Sequence, residues 1–583
     1  MGGTLFVHRE FKGSYQLVGI LDENAGLPIF TYASKYLENA DAAPISSSLP
    51  LSTEAFSPDV TSSYFSGIIP EGQLNRDLEK KARAERGDYF KVLDLVRNEP
   101  VGALIFTREP SADGLEMGYE EIGGERLGRL AYAPAAVAFD LALESRISLA
   151  GAQAKIGLYH AGDDPCGGWY LPHGAAPSTH ILKAGSKAFP GETVCEAMCV
   201  RAASLMDLSA EECFLIRVED AEPIIAVKRF DRAMSDSGRS VDGLPVPSRL
   251  HQEDICQAKG ISRELKYEPT GVNYLGLVVD AVRRVSTNQM EDRFLVGYNQ
   301  LFDYAVGNCD NHLKNWSLVW DEDWKQVRLA PLYDVLCTTI YPNLVREMGV
   351  SFGGSRKIDD VTRESVLRQM TEAGLPQGIV TGMINDTCSE VPDALRDAAR
   401  SLKEEGFPEA EAMLDKIIPE VQDRLNRIAQ KKRATPNGAA RHLFISQLAE
   451  VRLRRSRGRE GFPKGTSRSR NAARTCPWKP RRPRGRWEQR YFTTKMSQSV
   501  LRSRNVEIEP SSAYLIEDRP RAPQSTRSGL TTSSISSLSV SRMRPVRIIT
   551  STSGMSGLAL ASSSCLAMEL LKASSKPLTR STG

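Results

Sequence analysis

Hydrophobic periodicity stops near Arg433, and that break limits which part of the chain can build a core. From Ala434 to the end there are 28 Lys and Arg against 8 Asp and Glu, a net charge of +20. The first 433 residues carry 47 against 64, a net charge of −17, so the overall +3 conceals two compositionally different objects. Runs such as RLRRSRGRE, RPRGRW and TTSSISSLSVSRMRP have no sustained period and little to bury. Disorder is the expectation for residues 434–583. Two readings of this tail stay open: a basic arm for nucleic acid or an acidic surface, and a read-through or shifted-frame product. The preceding 433 residues suffice for several domains, and with 41% hydrophobic residues in the whole chain a sizeable core is feasible.

The ten cysteines include no CxxC pair. Cys195 and Cys199, one helical turn apart, read as core thiols rather than metal ligands, since no second ligand pair accompanies them. The N-terminus has no basic-then-apolar signal, and no run of about 18 apolar residues occurs. The expectation is a cytoplasmic protein with reduced thiols and no membrane span.

Residues 4–21 alternate in short apolar runs broken by Lys12-Gly13, which predicts a hairpin. A helical pattern follows from Ser63 to Val96, then a strand at VGALIFT. In SRISLAGAQAKIGLY, residues 145–159, small side chains separate two apolar runs. This is either a plain turn or a loop whose backbone N–H groups approach phosphate. THILKAG places Lys183 in a short strand, and ETVCEAMCVRAASLMDL carries Glu192 and Glu196 on a helix. A strand lysine followed by a helical glutamate is how kinases hold the lysine that contacts the α/β-phosphates. PIIAVKRFDR reads as a strand leading to a hinge. RLHQEDICQAKG, with His251, Gln252, Glu253 and Asp254, reads as a helix start, either a solvated acidic turn or part of the site.

Phe294, Leu295, Tyr298, Leu301, Phe302 and Ala305 keep one helical face up to Val306. At its end GNCDNHLKNWSLVW sets Asp310, His312, Lys314 and Asn315 within six residues. Such polarity is costly to bury without a ligand. A hairpin turning at Asp321-Glu322-Asp323 then returns Asp334 beside Asn315. The Asp-x-x-x-x-Asn spacing with a later acid is the kinase layout of base, metal-binding Asn and metal-binding Asp. Lys314, four residues beyond Asp310, is placed to follow a γ-phosphate. Residues 363–430 read as amphipathic helices punctuated by Pro376 and Pro392.

In order and spacing, SLAGAQAK, THILKAG, VKRFDR, RLHQEDICQA, GNCDNHLKN and LYD resemble the HipA family of toxin-antitoxin serine/threonine kinases, over about Thr4 to Ala429. The resemblance implies an α+β, bilobal, protein-kinase-like fold. Its parts would be an N-terminal α+β subdomain (1–110), a β-rich ATP-binding lobe (111–245) and a larger α-helical C-terminal lobe (246–433), with the tail beyond. It implies Asp310 as catalytic Asp and Asn315 and Asp334 as Mg²⁺ ligands. ATP-binding residues would be Ala150, Gly151, Ala152, Gln153, Ala154, Lys155, Lys183, Lys228, Arg229, Phe230, His312, Leu313, Lys314, Asn315, Tyr333 and Asp334, with Ser148 as an autophosphorylated off-switch. The chain departs from the family at Ala154, where an acidic residue or Pro is expected, and at Lys228, where Glu is common.

The implied activity is ATP-dependent phosphorylation of a protein, an aminoacyl-tRNA synthetase, with growth arrest as outcome. The implied partner is a helix-turn-helix antitoxin of the HipB kind, with DNA reached only through it. A small-molecule phosphotransferase and a weakly catalytic co-repressor are the alternatives.

Overall fold

The first structural unit is a hairpin, because Lys12 and Gly13 both accept left-handed backbone conformations, with φ of +50° and +77°. Strands β1 (Thr4–Phe11) and β2 (Ser14–Asn24) pair antiparallel through that turn. With β3 (Leu27–Tyr32) and β4 (Leu104–Thr107) they form a sheet of order β3-β2-β1-β4. The helical pattern after Ser63 is not one helix but three, Pro58–Phe65, Gly72–Ala82 and Tyr89–Leu95. Pro70 cannot donate to a helical ladder, and Gly87 has a positive φ of 86°. The computed structural model describes residues 3–24, 27–145, 153–234 and 238–429, all within one compact unit.

A second, six-stranded sheet follows. It comprises β5 (Met117–Glu121), β6 (Lys155–His160), β7 (Trp169–Gly174), β8 (His180–Lys183), β9 (Cys213–Ile216) and β10 (Ile224–Lys228), in the antiparallel order β5-β7-β6-β8-β10-β9. Strand alternation gives this sheet two different faces. Ile156, Leu158, Leu182, Ile224 and Ala226 pack under the helices Gly124–Tyr132 and Pro134–Ser145. Leu215, Ile225 and Val227 join the main core with the buried helix Glu192–Leu205. Lys155 and Lys183 stand opposite each other in the β6–β8 pairing.

The remainder is mostly helical. Helix Gln289–Val306 runs into the Asp310 loop, and the expected hairpin forms between Ser317–Trp320 and Val327–Leu329. Gln252–Asp254 adds a third strand to that hairpin, and Asp254 then caps the helix Ile255–Lys259 with Gln257 as its reciprocal partner. Pro376 marks a helix start as expected, but Pro392 lies inside the 28-residue helix Gln377–Glu404. An interior proline removes a backbone hydrogen bond and crowds the preceding turn. Here the buried face of Val391, Ala394, Leu395 and Ala398 offsets that cost. No helix among the described residues is long and apolar enough to cross a membrane.

Charged groups join the first sheet to the rest. Glu99, 0% exposed, receives Arg229 and Arg232 at 3.1 Å and Arg249 at 2.8 Å. Asp231 takes Arg229 at 2.7 Å and the Gly102 N–H at 2.7 Å. Burial alone would raise the Glu99 carboxyl, but the three arginines outweigh it and hold it at about 2. The HQED stretch is a second tie. His251 bonds the Ile45 carbonyl at 2.8 Å and stacks on Trp324, while Glu253 accepts from Ser46 Oγ (2.5 Å) and from Ser47 N (3.2 Å) and Oγ (3.1 Å). These side chains are interface, not a solvated turn.

Two outcomes follow from these ties. Glu99→Gln strands three buried guanidinium groups, so urea unfolding is expected to show a loss of about 3–5 kcal/mol; a loss under about 1 kcal/mol would contradict the assignment. Burial, against the Ser46 and Ser47 hydrogen bonds, pushes Glu253 up from 4.5 to about 7. Between those values the folded chain keeps a proton that the unfolded chain releases, so this contribution is complete below the lower value and declines as pH rises through the upper. Unfolding midpoints measured across pH 4 to 8 should show a shallower decline in Glu253→Gln than in the parent.

Candidate active site

Gly307 ends the Gln289–Val306 helix in the left-handed conformation that a C-terminal cap requires, with φ of +83°. The chain then makes a tight loop into the short 3₁₀ turn Leu313–Asn315. Asn308 ties this loop to the helix, donating to Asp303 Oδ1 at 2.8 Å and accepting the Asp310 N–H at 3.1 Å. The Asp310 carbonyl accepts the His312 N–H at 2.8 Å and Asn315 Nδ2 at 2.9 Å. Burial lowers His312, leaving a neutral ring, and its Nδ1 is buried without a hydrogen-bond partner. Across it lies Gly349, where a Cβ would come within 2.7 Å of the His312 nitrogen.

Asp334 returns to this loop in a left-handed conformation, φ +58°, which Asp tolerates better than most side chains. Leu332 bridges in parallel to Ala210, which brings the Asp334 segment alongside the six-stranded sheet. Lys183 Nζ lies 2.5 Å from Glu196 Oε1 and 2.7 Å from Asp334 Oδ1. Burial would lower this ammonium, but Asp334 and Glu196 outweigh it and keep it charged. Burial would raise Asp334, and Lys183 and Lys155 together drive it well below the usual carboxylate range. Lys155 is lowered by burial and by Lys183, against the pull of Asp334. Glu211, behind them, is pushed up to about 8, by burial first and then by Glu196 and Asp334 against the pull of Lys183; its Oε1 receives the Asp334 N–H at 3.4 Å.

The arrangement suits a polyanion with a hard cation. Two ammonium groups facing each other across paired strands repel unless negative charge is shared between them. Asn315 Oδ1 and Asp334 Oδ2 accept no hydrogen bond among the described residues, and carboxylate and amide oxygens of this kind suit Mg²⁺. Lys155, Lys183, Asn315 and Asp334 are therefore the residues able to hold such a ligand pair.

Other expected site residues are placed variously. Tyr333 donates to the Lys314 carbonyl at 2.6 Å, and its ring lies 5.4 Å from that of Phe230. Lys228 Nζ reaches Glu212 at 3.0 Å, while the Arg229 side chain is 1% exposed and committed to Glu99 and Asp231. Leu313 is a fully buried core side chain. Gln153 Nε2 lies 3.5 Å from Glu192 Oε1, and Ala154 packs on the core beneath the sheet. Lys314 differs from the expectation that it follows a phosphate. Its Nζ is held by Asp254 at 2.6 Å and the Gly67 carbonyl at 3.2 Å, because burial leaves an ammonium stable only beside acids. Ser148, Ala150, Gly151, Ala152 and the tail lie outside the described residues. Glu211, Tyr267 and Glu71 escape a reading by motif, since their partners lie far away in sequence.

The fold is a kinase-like α+β fold. Over 73% of this chain and 97% of the other, it superimposes with a TM-score of 0.59 and 18% identity on a chain from the structure of the Shewanella oneidensis MR-1 toxin-antitoxin complex of HipA, HipB and operator DNA. Family models match twice, the HipA N-terminal domain at residues 13–107 and the HipA-like C-terminal domain at residues 147–395. The chain is 30% identical over 382 residues to "Putative kinase Y4mE" of Sinorhizobium fredii, covering 64% of this chain and 87% of that protein. It is 25% identical over 410 residues to "Putative kinase Y4dM" of the same organism, covering 67% and 90%. The chain belongs to the HipA family.

Removing the cation between Glu196 and Asp334 provides a check on this electrostatic account. Lys183→Met is expected to cost about 3–5 kcal/mol in urea unfolding at pH 8, and less at pH 5, where the stranded acids take up protons. An equal cost at both pH values would count against it.

Proposed function

We propose that the chain is a kinase that transfers the γ-phosphoryl group of ATP to a serine or threonine hydroxyl of a protein. The observation that carries this reading is Lys183, held between Glu196 and Asp334 and opposite Lys155, with the Asp334 charge felt by His312 in the Asp310 loop. Phosphoryl transfer asks little covalent chemistry of a protein and much charge neutralisation and alignment. Lys183 and Lys155 bind and orient the phosphates. Asn315 and Asp334 hold Mg²⁺, which supplies further neutralising charge when bound. Asp310 orients the acceptor hydroxyl and takes its proton as the acceptor oxygen bonds to the γ-phosphorus and the bond to the ADP oxygen breaks. The Lys228–Phe230 backbone and Tyr333 would border the adenine. The nucleotide cleft then lies between a β-rich lobe, 111–245, and a helical lobe, 246–433, with 1–110 as a separate subdomain.

Its finer terms follow family membership. A HipB-like helix-turn-helix antitoxin is the proposed partner, by analogy with the Shewanella complex of HipA, HipB and operator DNA, with DNA reached only through it. The proposed substrate is an aminoacyl-tRNA synthetase, the outcome growth arrest in the cytoplasm, and Ser148 the self-modified off-switch.

The test is transfer of labelled phosphate from ATP, with and without Mg²⁺, into protein or metabolite fractions of a cell extract. Label is expected on protein. Asp310→Asn and Asp334→Asn should each lower transfer by about 10²–10⁴-fold; Asp310→Asn should do so without moving the unfolding midpoint downward, whereas Asp334→Asn, which removes an acid from buried Lys183, should also lower the midpoint. Full transfer by a purified Asp310→Asn protein would refute the assignment of the base.

A further inference from the structure

Three consecutive residues, Lys266, Tyr267 and Glu268, run along the catalytic loop and touch three different parts of the protein. Lys266 Nζ pairs with Glu71 Oε2 at 2.7 Å, on the N-terminal side, and its carbonyl accepts the Leu313 N–H at 3.1 Å. The Glu268 N–H donates to the Gly349 carbonyl at 2.8 Å, and its Oε2 accepts the N–H groups of Tyr274 and Ser351, both at 3.0 Å. Between these anchored neighbours, the Tyr267 hydroxyl donates to Asp310 Oδ1 at 2.6 Å. Its ring stands edge-on to His312 with centroids 5.1 Å apart. Burial of the hydroxyl end and the Asp310 charge both raise the phenol, so it remains a donor.

A carboxylate on a rotatable bond can present either oxygen in many directions. A strong donor on one oxygen removes that freedom. Oδ2 of Asp310 accepts no hydrogen bond among the described residues, so the oxygen opposite the phenol is the one left for an incoming hydroxyl. Tyr267 itself has 40% of its surface exposed despite its hydroxyl contact. Packing alone does not explain where its oxygen points; the bond to Asp310 does.

We propose that Tyr267 is a positioning residue for phosphate transfer. Its hydroxyl fixes the Asp310 carboxylate through Oδ1 so that Oδ2 is aimed at the acceptor, and Lys266 and Glu268 hold it there. The inference rests on the reading of Asp310 as the base. Mispositioning a base by a fraction of an ångström slows chemistry more than it weakens ground-state binding. Tyr267 therefore acts on kcat through Asp310, not on nucleotide affinity.

The experiment uses the full chain with Mg-ATP and dephosphorylated casein as acceptor, following ADP release and label transfer. Tyr267→Phe, which keeps the ring, should lower kcat about tenfold while the KM for ATP and the unfolding midpoint stay within about twofold and about 2 °C of the parent. The double variant Tyr267→Phe with Asp310→Asn should be no slower than Asp310→Asn alone, because the phenol acts only through that carboxylate. A multiplicative loss in the double variant would mean a general structural role and overturn the proposal. So would an unchanged or raised kcat in Tyr267→Phe, the mark of a side chain that merely covers the acceptor site. If Asp310→Asn collapses transfer while Tyr267→Phe runs at the parent rate, only this inference falls. If Asp310→Asn keeps the parent rate, the base assignment falls and this inference with it.

Discussion

Glu99 is the charge on which the arrangement of this protein depends. A carboxylate out of water is tolerable only if its partners are present and well aligned. Glu99 is supplied from the first 110 residues and all three of its arginines come from residues 229–249. Neither side can satisfy its charges alone, so the N-terminal sheet is bound to the chain segment that leads out of the six-stranded sheet. Hydrophobic contact reinforces this without specifying it. One continuous core runs from Leu5 through Phe302 to Ile428, and apolar surfaces by themselves tolerate sliding where an ion cluster does not.

The same logic recurs at smaller scale in the site. Glu71 is partly buried beside Lys266 and near Lys314, and desolvation, which would raise it, is outweighed by the two lysines, which hold it at about 2. Lys314 also reaches Asp254, the residue that caps the helix Ile255–Lys259. The Asp310 loop is thus attached through its lysine to the N-terminal residues and through Asp303 and Asn308 to its own helix. The Lys155, Lys183, Asp334 corner, with Glu196 behind it, is the one that faces the proposed phosphates.

Much of this was legible in the sequence where signals are local. Lys12-Gly13 marked the first hairpin, the 3-4 rhythm from Phe294 to Ala305 marked the helix that delivers Asp310, and the acids at 321–323 marked the turn that returns Asp334. The order of Lys183, Glu196, Asp310, Asn315 and Asp334 carried the kinase-like reading, and the structure joins Lys183, Glu196 and Asp334 directly. What escaped was set by distance along the chain. Tyr267 meets Asp310 across 43 residues, Lys314 meets Asp254 across 60 and Gly67 across 247. No periodicity reports such pairings. Pro392 misled because a proline signal is local whereas the burial that overrides it is tertiary.

Gly349 bears on how this site would respond to load. Its backbone lies directly against that of His312, and its N–H and carbonyl are bonded to Cys309 and Glu268. A contact between side chains can absorb a small displacement by changing rotamer, but two main chains in contact have no such slack. The hairpin of Glu347–Phe352 and Ser355–Lys357, which carries Gly349, therefore works as a gauge block against the loop: whatever shifts the hairpin shifts the stretch on either side of Asp310 by nearly the same amount.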